Sequence, residues 1–283
     1  MSPLAQPTFL EKLEYCWQRD TMLCVGLDSD YEQLPAIVKA HRSIEEALFR
    51  FNRDIIDATH DLVCAYKPNV AFYEAQGDAG FRALIRTVQY IHEQYPGIPV
   101  ILDAKRGDIG STNQGYVQSA FDVIGADAIT VHPYLGKEAL APLLARREKG
   151  IIVLAKTSNP GSGEFQDLPI GPAREPLYQV VARHVAQEWN DNGNCALVVG
   201  ATYPEELRQV RALVGDMPIL IPGIGAQGGE LAATVAAGKD SRGRGMIINS
   251  ARGIIFASHD SDFAAAALGA AERLSREINT CRR

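Results

Sequence analysis

Eight short runs rich in Val, Ile and Leu punctuate the chain, at 23–28, 62–69, 100–105, 128–133, 151–156, 195–200, 218–223 and 245–250. Amphipathic stretches lie between most of them, at 44–59, 80–94, 112–124, 137–145, 177–190 and 204–213, each long enough for a helix that crosses back over a sheet. A βαβα alternation of this kind builds parallel sheets, and eight parallel strands close on themselves. With 283 residues, 46% of them hydrophobic, the chain can bury one large core. No Pro/Ser-rich linker or composition break divides it. The expectation is an α/β protein, a single (β/α)8 barrel spanning 1–283, in preference to two Rossmann-like halves.

The polar residues agree with this layout, because they collect at the C-terminal ends of the expected strands: Asp28, Lys67, Asp103, Lys105, His132, Lys156 and, just past the eighth, Arg252. In a barrel these ends share the face that carries the active site. The densest cluster is Asp103-Ala104-Lys105-Arg106-Gly107-Asp108, where an apolar run ends in opposite charges. Strand alternation points Asp103 and Lys105 to one face, and a tight turn at Gly107 lets Asp108 approach the same ammonium. A single pair of this kind is as readily a structural ion pair. Charges gathered from three strands (Asp28, Lys67, Asp103, Lys105, Asp108) are costly to bury together unless a charged ligand completes them.

A second signal lies after the seventh and eighth strands. Pro222-Gly223-Ile224-Gly225-Ala226-Gln227-Gly228-Gly229 and Asn249-Ser250-Ala251-Arg252-Gly253 occupy the two loops with which barrels hold phosphate. Glycines let backbone N–H groups approach the oxygens, and an Arg fork neutralises the dianion. Read alone, the glycines also suit plain turns. Gly223, Gly225 and Gly228 match the dinucleotide fingerprint too, but Asn249 and Ser250 stand where the following strand of that fold ends in an acid. Lys156-Thr157-Ser158-Asn159-Pro160-Gly161 opens a Gly/Pro/Ser-rich connection over 157–172, a candidate lid. Its hydroxyl and amide groups suit either an amide-bearing ring or simple loop capping. Of the histidines, only His132 and His41 fall at a strand end or in a loop, and His132 reads as a hydrogen-bonding support rather than a catalytic group.

The formal charge of −6 argues against a nucleic-acid or anionic-membrane partner, so an anionic ligand must be met by local cations. Five scattered cysteines without CxxC spacing indicate neither a disulfide framework nor a zinc site. The first residues show no basic region followed by an apolar one, and no apolar run reaches the length of a membrane span. A cytoplasmic protein is expected.

Asp103-x-Lys105-x-x-Asp108-Ile109, with Asp28, Lys67, Gln227 and Arg252 on their respective strands and loops, resembles the orotidine 5'-phosphate decarboxylases. The likeness is greatest to their longer bacterial form and covers most of the chain between residues 23 and 252. The resemblance implies a cofactor-free and metal-free decarboxylation of orotidine 5'-monophosphate to UMP and CO2. It implies a charged tetrad of Lys67, Asp103, Lys105 and Asp108 with Lys105 as proton donor. It also implies that Asp28 and Thr112 hold ribose hydroxyls, that Ser158 meets the pyrimidine, and that Gln227 and Arg252 grip the phosphate. Family members are homodimers in which Asp108 and Thr112 reach into the partner's site. The chain departs from the family pattern by insertions around 30–45 and 160–172. Two alternatives stand beside this reading. One is a magnesium-dependent sugar-phosphate lyase or epimerase, which would want oxygen ligands where Lys67 places a cation; the other is a catalytically silent phosphate-binding barrel. A Schiff-base aldolase is disfavoured, since carboxylates beside Lys105 keep an ammonium charged.

Overall fold

In the computed structural model, which describes residues 7–40, 42–224 and 228–283, each apolar run becomes a parallel strand. They are β1 (Leu23–Leu27), β2 (Val63–Pro68), β3 (Ile101–Arg106), β4 (Ala128–Val131), β5 (Gly150–Lys156), β6 (Cys195–Val199), β7 (Ile219–Pro222) and β8 (Met246–Ser250). The strands run apolar on both faces because one face fills the barrel and the other lies under helices. The hydrogen-bonded order is β2-β1-β8-β7-β6-β5-β4-β3. Its two ends meet through the bridges Tyr66–Val100 and Asn69–Asp103 and a bond from the Tyr66 N–H to the Pro99 carbonyl at 3.1 Å. The (β/α)8 barrel is therefore closed, with a lightly bonded seam between β2 and β3.

The expected helices form with small shifts. Ile44–Thr59 keeps its bounds, and the helix expected over 80–94 starts a turn earlier as Gly77–Gln94. The one expected over 112–124 is Gly110–Val117 followed by a wide π turn, Gln118–Val123. Helices Gly228–Gly238 and Phe263–Arg282 were not apparent in the periodicity, since their Ala-rich faces offer little apolar–polar contrast. Phe263–Arg282 is nonetheless fastened by aromatic stacking: Phe51 packs on Phe256 and Phe263 with centroids 5.5 and 5.3 Å apart. The connection over 157–172 is also ordered, with short helical turns at Pro160–Ser162 and Gly163–Gln166 and a two-stranded ribbon pairing Pro169–Ile170 with Glu175–Pro176.

The end of the barrel opposite the charged strand ends is plugged by helix Phe9–Gln18, which begins in a Thr8/Glu11 capping box. Phe9 covers Gly150, where an added Cβ would come within 2.2 Å of the ring, and the Trp17 indole donates to the Met246 carbonyl at 2.9 Å. Lys12 from this helix meets Asp127 at 2.8 Å, and Asp127 also accepts from the Val100 N–H at 2.8 Å and bonds His92 at 2.9 Å. Burial pushes the Asp127 carboxyl up, but the His92 bond and the Lys12 charge outweigh it and hold the group down at about 2. A carboxylate depressed in the fold adds stability above its ordinary value near 3.8, and that stability fades as pH falls toward 2. Asp127→Asn is expected to lose about 3 kcal/mol at pH 7 in urea unfolding, with the gap to wild type narrowing below about pH 4. A gap independent of pH would contradict this account.

Candidate active site

Lys67 rises from β2 inside the barrel, buried along its stem, and its Nζ lies 2.9 Å from Asp103 Oδ2 and 3.9 Å from Asp28 Oδ1. Asp103 Oδ1 takes a second ammonium, Lys105 Nζ, at 2.7 Å. One carboxylate is thus shared by two lysines, one with a side chain 4% exposed and the other 50% exposed.

Simple strand alternation does not produce this contact. The register runs Leu102 opposite Ile129 and then Arg106 opposite Val131, so β3 spends four residues where β4 spends two. The extra residues bulge, and Lys105 adopts φ +48°, a left-handed conformation uncommon outside glycine. Thr130 makes the bulge possible: its Oγ1 accepts from the Ala104 and Lys105 N–H groups, each at 3.0 Å, and donates to Asp103 Oδ1 at 2.9 Å. The β3 backbone and the Asp103 carboxylate are tied to one hydroxyl.

The electrostatics follow from burial and pairing. Burial raises Asp103, but the charges of Lys67 and Lys105 overcome it and hold the carboxyl at about 2. Burial works against the Lys67 ammonium, yet Asp103 and Asp28 keep it above the usual lysine range. At Asp28 burial outweighs the pull of Lys67, so its carboxyl is raised, and its buried Oδ1 has no hydrogen-bond partner within the described chain. An unpaired acceptor of this kind is open to a donor from a ligand or from water.

Asp28, Lys67 and Asp103 line one side of a cavity of about 610 Å3 whose other side is formed by Gly223, Asn249, Arg252 and Gly253. Gly223 sits at φ +96° at the start of the loop after β7, and Arg252 is exposed at the end of the loop after β8. Gln227, with Gly225 and Ala226, lies outside the described residues, as does His41. Ser158 does not line the cavity itself but abuts its wall, since a Cβ on Gly223 would be 3.3 Å from the Ser158 Cβ. His132 supports the β3 loop: its Nε2–H donates to the Gly107 carbonyl at 3.0 Å while Nδ1 accepts from the Tyr134 N–H at 3.3 Å.

Asp108 departs from the geometry read from the sequence. Its carboxylate accepts the Ile109 N–H at 2.7 Å and is not paired with Lys105 among the described residues. The cause is Asn113, whose Oδ1 accepts from the Asp108 N–H at 3.0 Å and whose Nδ2 donates to the Asp108 carbonyl, turning the loop away from the Lys105 amine. Thr112 is exposed on the same stretch, outside the cavity wall. Asn249 was missed as a site residue. It is 6% exposed, lines the cavity and leaves its Oδ1 unpartnered. The sequence placed it only within the run Asn249-Ser250-Ala251-Arg252-Gly253 after the eighth strand, without singling out its amide.

A closed eight-stranded barrel with an ionic cluster at the C-terminal ends of β1 to β3, opening on the loops after β7 and β8, defines a (β/α)8-barrel enzyme. A family model for orotidine 5'-phosphate decarboxylase / HUMPS matches residues 21–268. Orotidine 5'-phosphate decarboxylases of Cellvibrio japonicus and Cupriavidus metallidurans are each 51% identical over 276 residues, covering 97% of this chain and 99% of theirs. The solved structure of Leishmania donovani OMP decarboxylase superposes with a TM-score of 0.82 at 39% identity, over 97% of this chain and 98% of that one. The chain belongs to the orotidine 5'-phosphate decarboxylase / HUMPS family.

Proposed function

We propose that this chain, acting as one domain over residues 1–283, decarboxylates orotidine 5'-monophosphate to UMP and CO2, the last step of de novo UMP synthesis. The observation that carries the reading is the Asp103 carboxylate gripped by Lys67 and Lys105 at the wall of a cavity that also holds Arg252.

The chemistry follows from where charge develops. When the bond from C6 to the carboxylate breaks, the electron pair stays on C6 in the plane of the ring, out of conjugation with the carbonyls. The protein must stabilise it electrostatically. Lys105, fixed by Asp103, places a positive charge at that carbon and then donates a proton to it. Its half-exposed side chain can be reprotonated from solvent. Asp103 crowds the departing carboxylate more than the later carbanion, which favours the transition state over the ground state. Asp28 takes a ribose hydroxyl on its unpaired oxygen, Ser158 meets the pyrimidine, and Arg252 with Gln227 anchors the phosphate, whose remote binding energy supports the chemical step.

The reaction uses no metal or organic cofactor: the Lys67 ammonium lies between Asp28 and Asp103, where a divalent ion would need oxygen ligands to itself. Protein treated with EDTA is expected to convert orotidine 5'-monophosphate to equal amounts of UMP and CO2 at the untreated rate. Loss of turnover on chelation, restored by magnesium, would transfer the assignment to a metal-dependent sugar-phosphate lyase.

The working unit we assign is a homodimer. Ile109, Tyr134 and Leu135, at 61%, 88% and 44% exposure, surround the loops that carry Asp108 and Thr112, and a second copy covering them would bring both residues to a neighbouring site. No helix of the described residues is long and apolar enough to cross a membrane. A cytoplasmic setting is supported by the cysteines, all five of which are free thiols.

A further inference from the structure

The connection over 160–172 after β5, read from the sequence as an insertion, is fastened to the barrel by a cation that the decarboxylation does not use. Lys156, the last residue of β5, has a side chain 1% exposed. Its Nζ lies 4.7 Å from the Tyr203 ring centroid, 5.7 Å from that of Tyr178, and 2.6 Å from Asp167 Oδ1. Asp167 belongs to the insertion and is half-exposed, as are most of its neighbours, so little apolar burial holds this segment down. A second contact runs beside the first: Gln166 accepts the Thr157 N–H at 2.9 Å and donates to Thr157 Oγ1 at 2.9 Å. Two consecutive residues of the strand end are thus clasped by two consecutive residues of the insertion.

Ser158 comes next in the chain and is wedged between the ends of β6 and β7. A Cβ on Gly200 would lie 2.8 Å from the Ser158 Cα and Cβ, and one on Gly223 3.3 Å from its Cβ. The insertion lines none of the cavity among the described residues, and the contact it makes toward the cavity runs through Ser158 and the Gly223 wall it presses on. A buried ammonium is tolerable only while a carboxylate or aromatic faces compensate it. Lys156 is compensated by both tyrosine faces, and docking of Asp167 adds the one carboxylate that touches it among the described residues.

We propose that the Lys156–Asp167 pair is a latch whose closure positions Ser158 against the loop after β7, making Lys156 and Asp167 positioning residues for substrate binding. The proposal rests on the reading that Ser158 meets the pyrimidine. The insertion is then a brace that is docked before substrate arrives.

The test compares Asp167→Ala, Asp167→Glu and the double variant Lys156→Met with Asp167→Ala, in steady-state assays on orotidine 5'-monophosphate and in limited trypsin digestion at the exposed Arg174 of the ribbon turn. Asp167→Ala is expected to raise KM about tenfold with kcat within about twofold of wild type, and to speed cleavage after Arg174. Asp167→Glu should recover most of both losses. The double variant removes the stranded charge and fills the aromatic cage, and its KM should stay raised because the clasp is still missing. A wild-type KM in the double variant would overturn the proposal, reducing the pair to charge compensation. So would accelerated cleavage of Asp167→Ala with an unchanged KM. Ser158→Ala separates the two layers: if it leaves KM untouched while wild type turns over, the assignment of Ser158 fails, whereas if it raises KM and Asp167→Ala does not, the latch alone fails.

Discussion

Lys105→Ala is expected to lower turnover of orotidine 5'-monophosphate by at least about four orders of magnitude while UMP binding stays within about tenfold of wild type. The asymmetry follows from where Lys105 stands. Its ammonium touches Asp103 at 2.7 Å and does not belong to the wall formed by Gly223, Asn249 and Arg252, so affinity resides elsewhere. In the proposed mechanism alanine removes both the fixed charge that meets the carbanion and the proton that quenches it, and it leaves Asp103 with Lys67 as its remaining ammonium partner. Single-turnover rates paired with calorimetric titration of UMP measure the two halves separately. Turnover above a few per cent of wild type would remove Lys105 from the role of proton donor. A parallel collapse of UMP affinity would place it in the phosphate grip instead.

The second large effect tests the proposed sharing of the site between two subunits. Lys105→Ala and Asp108→Ala homodimers are each expected to be inactive, and mixing them after reversible dissociation should restore about a quarter of wild-type activity. Half of a random mixture is hybrid, and each hybrid has one whole site of two. The prediction draws on the Asn113-held loop, which directs Asp108 away from Lys105 of its own chain. If hybrids form, shown by mass-tagged chains, and activity does not return, Asp108 acts within one chain or not at all.

How much of this was legible in the residues differs from element to element. All eight strands lie within two residues of their expected bounds, because a run apolar on both faces and bounded by turn residues has few other places to go. The convergence of Asp28, Lys67, Asp103 and Lys105 was legible for the same reason, as strand ends in a barrel share a face. The bulge that joins Asp103 to Lys105 was not, since it depends on a hydroxyl supplied by Thr130 on the next strand. Nor was the direction of Asp108, which Asn113 decides from the following helix. The pairing of Lys156 with Asp167 was hidden inside a stretch whose Gly, Pro and Ser content suggested only a mobile cover.

The join between β2 and β3 has a consequence for anyone making variants. The sheet is stitched there by isolated bridges, one of them at Asp103 itself, and the Lys67–Asp103 ion pair spans the same gap. The charges assigned to the chemistry are also a rivet in the wall. Loss of either residue loosens the cylinder as it empties the pocket, so a dead enzyme at these positions tells nothing about chemistry until its melting curve has been recorded beside it.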